Sequence, residues 1–240
     1  MHDKEAVFKQ VQAALEHKAH IDPQTAIVID FNDGTLTLEG EVPSVGCKKL
    51  ALISAGAIGD VNGIVDRLRV TPAERAGDGA TRDAACKFLQ RDIDFQNCGL
   101  SVRVKGQVET LRAPIGNSSG SIELSVETGV ITLTGQVISL SHKRLAGVLA
   151  WWARGCRDVV NGLEVVPSEE DNDDEVTDAL RLVLETDPYV HADQIGIGTR
   201  DYVVTLEGVV ASEEERQRAE TDAWCLFAVD KVINHIEVRG

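Results

Sequence analysis

The chain has no cysteine pair with which to staple itself. Its five cysteines, Cys47, Cys86, Cys98, Cys156 and Cys225, are odd in number, scattered, and without a C-x-x-C spacing. That argues against a disulfide framework and fits a reducing compartment or an unused thiol set. Clusters of His and Cys at ligand spacing are missing too, so no zinc or other metal is expected, and no cofactor. Long apolar runs are absent: nothing approaches the roughly 18 residues of a membrane span. The stretch MHDKEAVFKQ lacks the apolar core of a secretory signal. The expectation is therefore a cytoplasmic protein, or a periplasmic one if a signal segment has been removed.

Catalytic motifs are equally scarce. G-x-S-x-G, H-E-x-x-H, Walker and G-x-G-x-x-G patterns do not occur. The six histidines, His2, His17, His20, His142, His191 and His235, have no recurrent acid or nucleophile partner. GIGTRD at 196–201 is Gly-rich but falls inside a hairpin, with no helix after it to receive a phosphate. SEEDNDDE at 168–175 lacks the glycine and the twelfth-position Glu of a calcium loop. It reads as a solvated linker whose acids favour the N-terminus of the next helix. The chain reads as a non-enzyme.

Basic side chains are outnumbered, 24 against 39 acidic, for a net charge of −15. The imbalance sits at one end: residues 1–76 carry −3, residues 77–167 carry +1, and residues 168–240 carry −13. Nucleic-acid affinity comes largely from Lys and Arg on phosphates, so no nucleic-acid partner is expected. The same field opposes broad adsorption to anionic lipid, and only the middle segment is free of it.

What the chain does have is a 43% hydrophobic content, enough for cores, and a sentence written three times. LTLEGEV at 36–42 returns as ITLTGQV at 131–137 and VTLEGVV at 204–210. With Gly40, Gly135 and Gly208 in register, three valines follow two residues on, Val42, Val137 and Val210. Ala51, Ala146 and Ala219 follow at eleven, and Ala55, Ala150 and Ala223 at fifteen. Each copy opens with an amphipathic helix (KEAVFKQVQAALEHK, TRDAACKFLQRDI, DEVTDALRLVLET). An alternating strand, a turn and the repeated strand follow. A helix with its paired alanines facing inward comes next, and a last strand closes the copy as VDRLRV, VNGLEV or INHIEV. The predicted order is αββαβ. The glycine reads as a bulge or close backbone approach, and the alanines as a close helix–sheet contact, so both are scaffold.

The pattern L-x-L-x-G-x-V, alanines on the next helix, then V-x-x-V-x-N-x-L-x-V resembles the BON domain family (bacterial OsmY and nodulation). ITLTGQV with RDVVNGLEVV carries the resemblance best; the first copy has Asp66 where Asn is usual. The resemblance implies an α+β protein of three tandem αββαβ modules, each a small mixed sheet covered on one face by two helices. The modules would span 1–76, 77–167 and 168–240. It also implies a non-catalytic binding or scaffold role of envelope or osmotic-stress type, through module–module or protein–protein contacts or self-association. Alternatives are a phospholipid surface bound by the middle module, or a small ligand or ion sensed in solution.

Two features depart from a plain repeat. The first two glycines are 95 residues apart and the last two 73. The excess lies mainly within 97–120, whose VRVKGQV alternates like an added strand or hairpin, while GNSSGS reads as a flexible tip. The second feature is the back of the second helices. Large aromatics there, Trp151, Trp152 and Trp224, mix with small residues such as Gly56 and Ala57. With Lys143, Arg144 and Val148 they form either a module–module contact or a lipid or ligand patch. Packing is the expected role.

Overall fold

The structure, a computed structural model, describes residues 4–22 and 24–239; His2 lies outside them. Residues Met1–Thr71 form one compact unit and Pro72–Gly240 another. The first unit runs α1 (Lys4–His17), β1 (Val28–Asn32), β2 (Thr35–Val42), α2 (Val45–Gly56) and β3 (Gly63–Val70). Its sheet has the order β1-β2-β3, with the hairpin antiparallel and β2–β3 parallel. The parallel pair needs a crossover, which α2 supplies.

The second unit continues with α3 (Asp78–Arg91), β4 (Gly99–Val104), β5 (Gln107–Arg112), β6 (Gly120–Glu127), β7 (Val130–Val137), α4 (Leu140–Trp151) and β8 (Asp158–Val165). It closes with α5 (Asp173–Thr186), β9 (Ile195–Arg200), β10 (Val203–Val210), α6 (Glu213–Cys225) and β11 (Lys231–Val238). The last sheet repeats the first as β11-β10-β9, but the middle sheet has five strands, β5-β4-β6-β7-β8, where a plain repeat predicts three. Residues 97–120 supply the difference. β4 pairs in parallel with β6, and β5 folds back through a Lys105–Gly106 turn in which both residues have positive φ. GNSSGS is fastened, not loose: Ser118 Oγ donates to the Asn97 carbonyl at 2.9 Å and Ser119 Oγ to Asp94 at 3.0 Å.

Each copy begins its second helix four residues after the repeated glycine, at Ser44, Ser139 and Ser212. Each serine is extended and its hydroxyl accepts the N–H three residues on, a donor the helix itself leaves unpaired. The repeated glycine is demanded by the sheet. Gly135 and Gly208 sit at φ of +120° and +141°, and a Cβ on either would stand 2.1 Å from the carbonyl oxygen of Ser121 or Gln194. Only glycine fits. Behind it the alanine pairs at Ala51/Ala55, Ala146/Ala150 and Ala219/Ala223 are fully buried.

The closing strand is tied to the second helix through its polar residue. The Asn161 amide donates to the Lys143 carbonyl at 2.7 Å and the Asn234 amide to Arg216 at 3.2 Å. Each Asn side-chain oxygen accepts the N–H two residues on. Asp66 keeps that acceptor role toward Leu68 but cannot donate. Lys48 takes the donor's place: its buried ammonium lies 2.9 Å from Asp66 and donates to the Leu68 carbonyl at 3.0 Å.

Candidate functional site

The site is the junction between the second and third copies, built around α4. Residues 144–150 of this helix are buried in an unbroken run, which no helix covering a single sheet face achieves. Strands β7 and β8 lie on one side, and α3, α5 and α6 close the others.

At its N-terminal half, Arg144 is completely buried. One Nη bonds Asp171 at 2.5 Å, and the guanidinium lies over the Phe227 ring at 4.5 Å. Lys143 Nζ approaches the same ring at 5.3 Å. The Arg144 Nε and second Nη have no partner among the described residues. Asp171 belongs to the acidic stretch 168–175, which does more than a solvated linker would. Glu169 accepts the Leu140 N–H, Asn172 caps α5, and Asp173 accepts the N–H groups of Asp201 and Tyr202.

At the C-terminal end the contact is carried by Trp152. Its indole N–H donates to Asp222 of α6 at 2.8 Å, and its ring meets Phe88 edge-on at 5.9 Å. Arg218 lies over the Trp152 ring at 5.3 Å and over Tyr189 at 5.9 Å. Its Nε also pairs with the buried Asp187 and stands 3.9 Å from Asp222. Burial, and then the neighbouring Asp187 carboxylate, hold the Asp222 carboxyl well above the usual aspartate range, against the pull of Arg218 and the indole N–H.

The structure thus brings Arg144, Val148 and Trp152 together at the junction, with Lys143 at its edge. Trp151 is half-buried, and Trp224 is buried on α6. Arg144 has no solvent exposure, so its guanidinium does not stand at a surface where a lipid headgroup would lie. The glycines and alanines of the motif stand in the three sheets and helices, away from any side-chain chemistry. Sequence reasoning missed Asp222, Asp187, Arg218 and Phe227. One signal was available: Asp222 falls where the other copies have Ser54 and Leu149, an acid in a core position.

Beside the junction a cleft of about 820 Å³ opens between α3 and α4, reaching Thr186 and Pro188 at the end of α5. Phe88, Leu149 and Trp152 line it, and Lys87, Arg91 and Arg154 stand around it. Of the histidines, His191 bonds Glu215 at 2.8 Å and His142 bonds Ser139 at 2.7 Å; both serve helix starts. Among the described residues no group of three or more His, Cys, Asp or Glu could hold a metal ion, and no helix is long and apolar enough to cross a membrane. None of the five cysteines forms a disulfide, and burial pushes the Cys86 thiol up to about 11.

The family profile described as BON domain matches residues 3–72, 109–167 and 172–240. The second match begins only at β5, because the added hairpin separates α3 from the rest of its copy. No curated protein sequence matches the chain. Solved structures that resemble it include two of CdsD, a structural protein of the Type III secretion system of Chlamydia trachomatis, each at 14% identity. For its C-terminal domain the TM-score is 0.24, over 95% of this chain and 96% of that one. For the other it is 0.25, over 98% and 92%.

Proposed function

The chain belongs to the BON domain family, and on that premise we propose that it is a non-catalytic scaffold acting through protein–protein contacts. Its second and third copies serve as one rigid arm. The observation that supports this is the burial of α4 on every side by both copies, with Trp152 bonded to Asp222 across them. A scaffold needs its modules held at fixed geometry, and a half-buried aromatic whose polar handle reaches the fully buried Asp222 of the other copy is one way to hold them. An envelope or osmotic-stress setting follows from the family rather than from any residue named above.

Trp152→Ala tests the reading on the whole protein. It should lower stability by about 2 kcal/mol in urea unfolding, less than a core tryptophan because Trp152 is half-buried, and loosen the second unit into two transitions. Co-sedimentation with phosphatidylglycerol vesicles should be the same for variant and parent. A variant of unchanged stability that loses vesicle binding would favour the membrane-surface reading instead.

A further inference from the structure

The cleft beside the junction is not needed for holding the copies together, and its chemistry runs against that of the chain. The protein carries a net charge of −15, yet the free charges around this opening are positive. Asp83 is engaged by Arg82, at 2.6 and 2.9 Å. Asp92 is buried and spends an oxygen on the Asp94 N–H. Lys87 and Arg91 are exposed, one turn apart on α3, and neither has an ion pair among the described residues. Among the described residues Arg154 pairs with the exposed Glu74 alone, at 3.4 Å. Like charges at i, i+4 disfavour a helix, and Asp83, four residues before Lys87 but already paired with Arg82, offsets the Lys87–Arg91 repulsion only in part.

Below the cations the walls are apolar and already in place. Ala80, Ala84 and Phe88 recur every fourth residue along α3, two small side chains leaving the space that the aromatic closes. Trp152 cannot turn away, because Asp222 holds its N–H and Arg218 and Phe88 hold its ring. A preformed apolar cavity with a few convergent polar groups, within the roughly 300–1,000 Å³ of small-molecule sites, is what a ligand pocket requires. Aromatic walls favour a ring-bearing ligand, and the cations favour an acid.

We propose that this cleft binds one small amphiphilic anion: a carboxylate, or a phosphate or sulfonate, on a flat apolar body. The body lies against the wall that Phe88, Leu149 and Trp152 form, and the anionic group sits at Lys87 and Arg91. This does not depend on the scaffold reading, since a ligand here would occupy the edge of the junction without opening it.

Pyrenebutyrate and its neutral counterpart pyrenebutanol test it by fluorescence titration of the full chain. The acid should bind at one per chain, at least tenfold more tightly than the alcohol, and weaken as salt rises. The double variant Lys87→Gln/Arg91→Gln should melt like the parent and bind the acid at least tenfold more weakly, leaving the alcohol unchanged. Ala84→Leu, which fills the cleft from α3, should weaken both probes. Equal affinity for acid and alcohol, or an unchanged affinity in the double variant, would overturn the proposal. So would saturation at several molecules per chain, or binding of phosphatidylglycerol vesicles without binding of the free acid.

Discussion

A single atom decides the repeated sentence. The hydrogen at the Cα of Gly135 or Gly208 stands where any other residue places Cβ, against a carbonyl of the paired strand. Gly208→Ala combines a positive φ with a backbone clash, so it should cost about 3 kcal/mol, the upper part of the range for strained backbone. Urea unfolding measures this, and a change under 1 kcal/mol would mean the strand shifts freely at that point. The same scale explains the family's departure in the first copy. Asp66 does not break the tie between closing strand and helix, because Lys48 supplies the proton donor that a carboxylate lacks. A substitution that looks like a loss in one position is offset eighteen residues earlier. It could not be read from Asp66 alone.

At the scale of elements, two helices with the same alanines live in different surroundings. Ala51 and Ala146 both face their sheets with no exposure, but α2 leaves Ile53 at its back 43% exposed, while α4 is closed in on every side. A leucine at either alanine must push the helix off its sheet. α2 has room to yield outward, so Ala51→Leu should fall toward the lower part of the ~1–3 kcal/mol range and Ala146→Leu toward its top. Equal shifts in urea midpoint would show that the back of α4 is softer than its burial implies. This difference marks the limit of what the sequence makes legible. Strand alternation, the glycine register and the paired alanines show each αββαβ copy, because these periodicities are local. Trp151 and Trp152 show that the back of a helix is covered. What covers it depends on Phe227, Arg218 and Asp222, more than sixty residues away, which no local period connects to α4. The acids at 168–175 misled for a related reason: composition shows their charge, while their partners Arg144, Leu140 and Tyr202 come from other elements. Likewise the hairpin at 99–112 shows its alternation, but its parallel pairing with β6 is settled only by the assembled sheet.

Over the whole molecule, the acidic third copy meets the middle one through carboxyl groups that have lost their water. Asp222 faces Asp187 and Arg218 from its own copy and the indole of Trp152 from the other. Burial first, and then Asp187, raise its folded-state pKa above the ordinary 3.8 that it regains on unfolding. The folded protein therefore holds a proton that the unfolded chain releases. This contribution to stability is complete below the unfolded value and is lost as pH rises through the folded one. Asp222→Asn mimics the protonated form: it stays neutral at every pH and keeps an oxygen for the Trp152 N–H. The parent and the variant should be equally stable near pH 4. Above it they should separate by up to about 1.4 kcal/mol per pH unit until the parent's Asp222 ionises, with the variant the more stable at pH 7–8. Urea unfolding from pH 4 to 8, followed by tryptophan fluorescence, measures the gap. Parallel curves would mean that Asp222 is charged in the folded protein throughout. Arg218 would then hold two carboxylates, and the junction would rest on that ion pair instead of on a protonated Asp222.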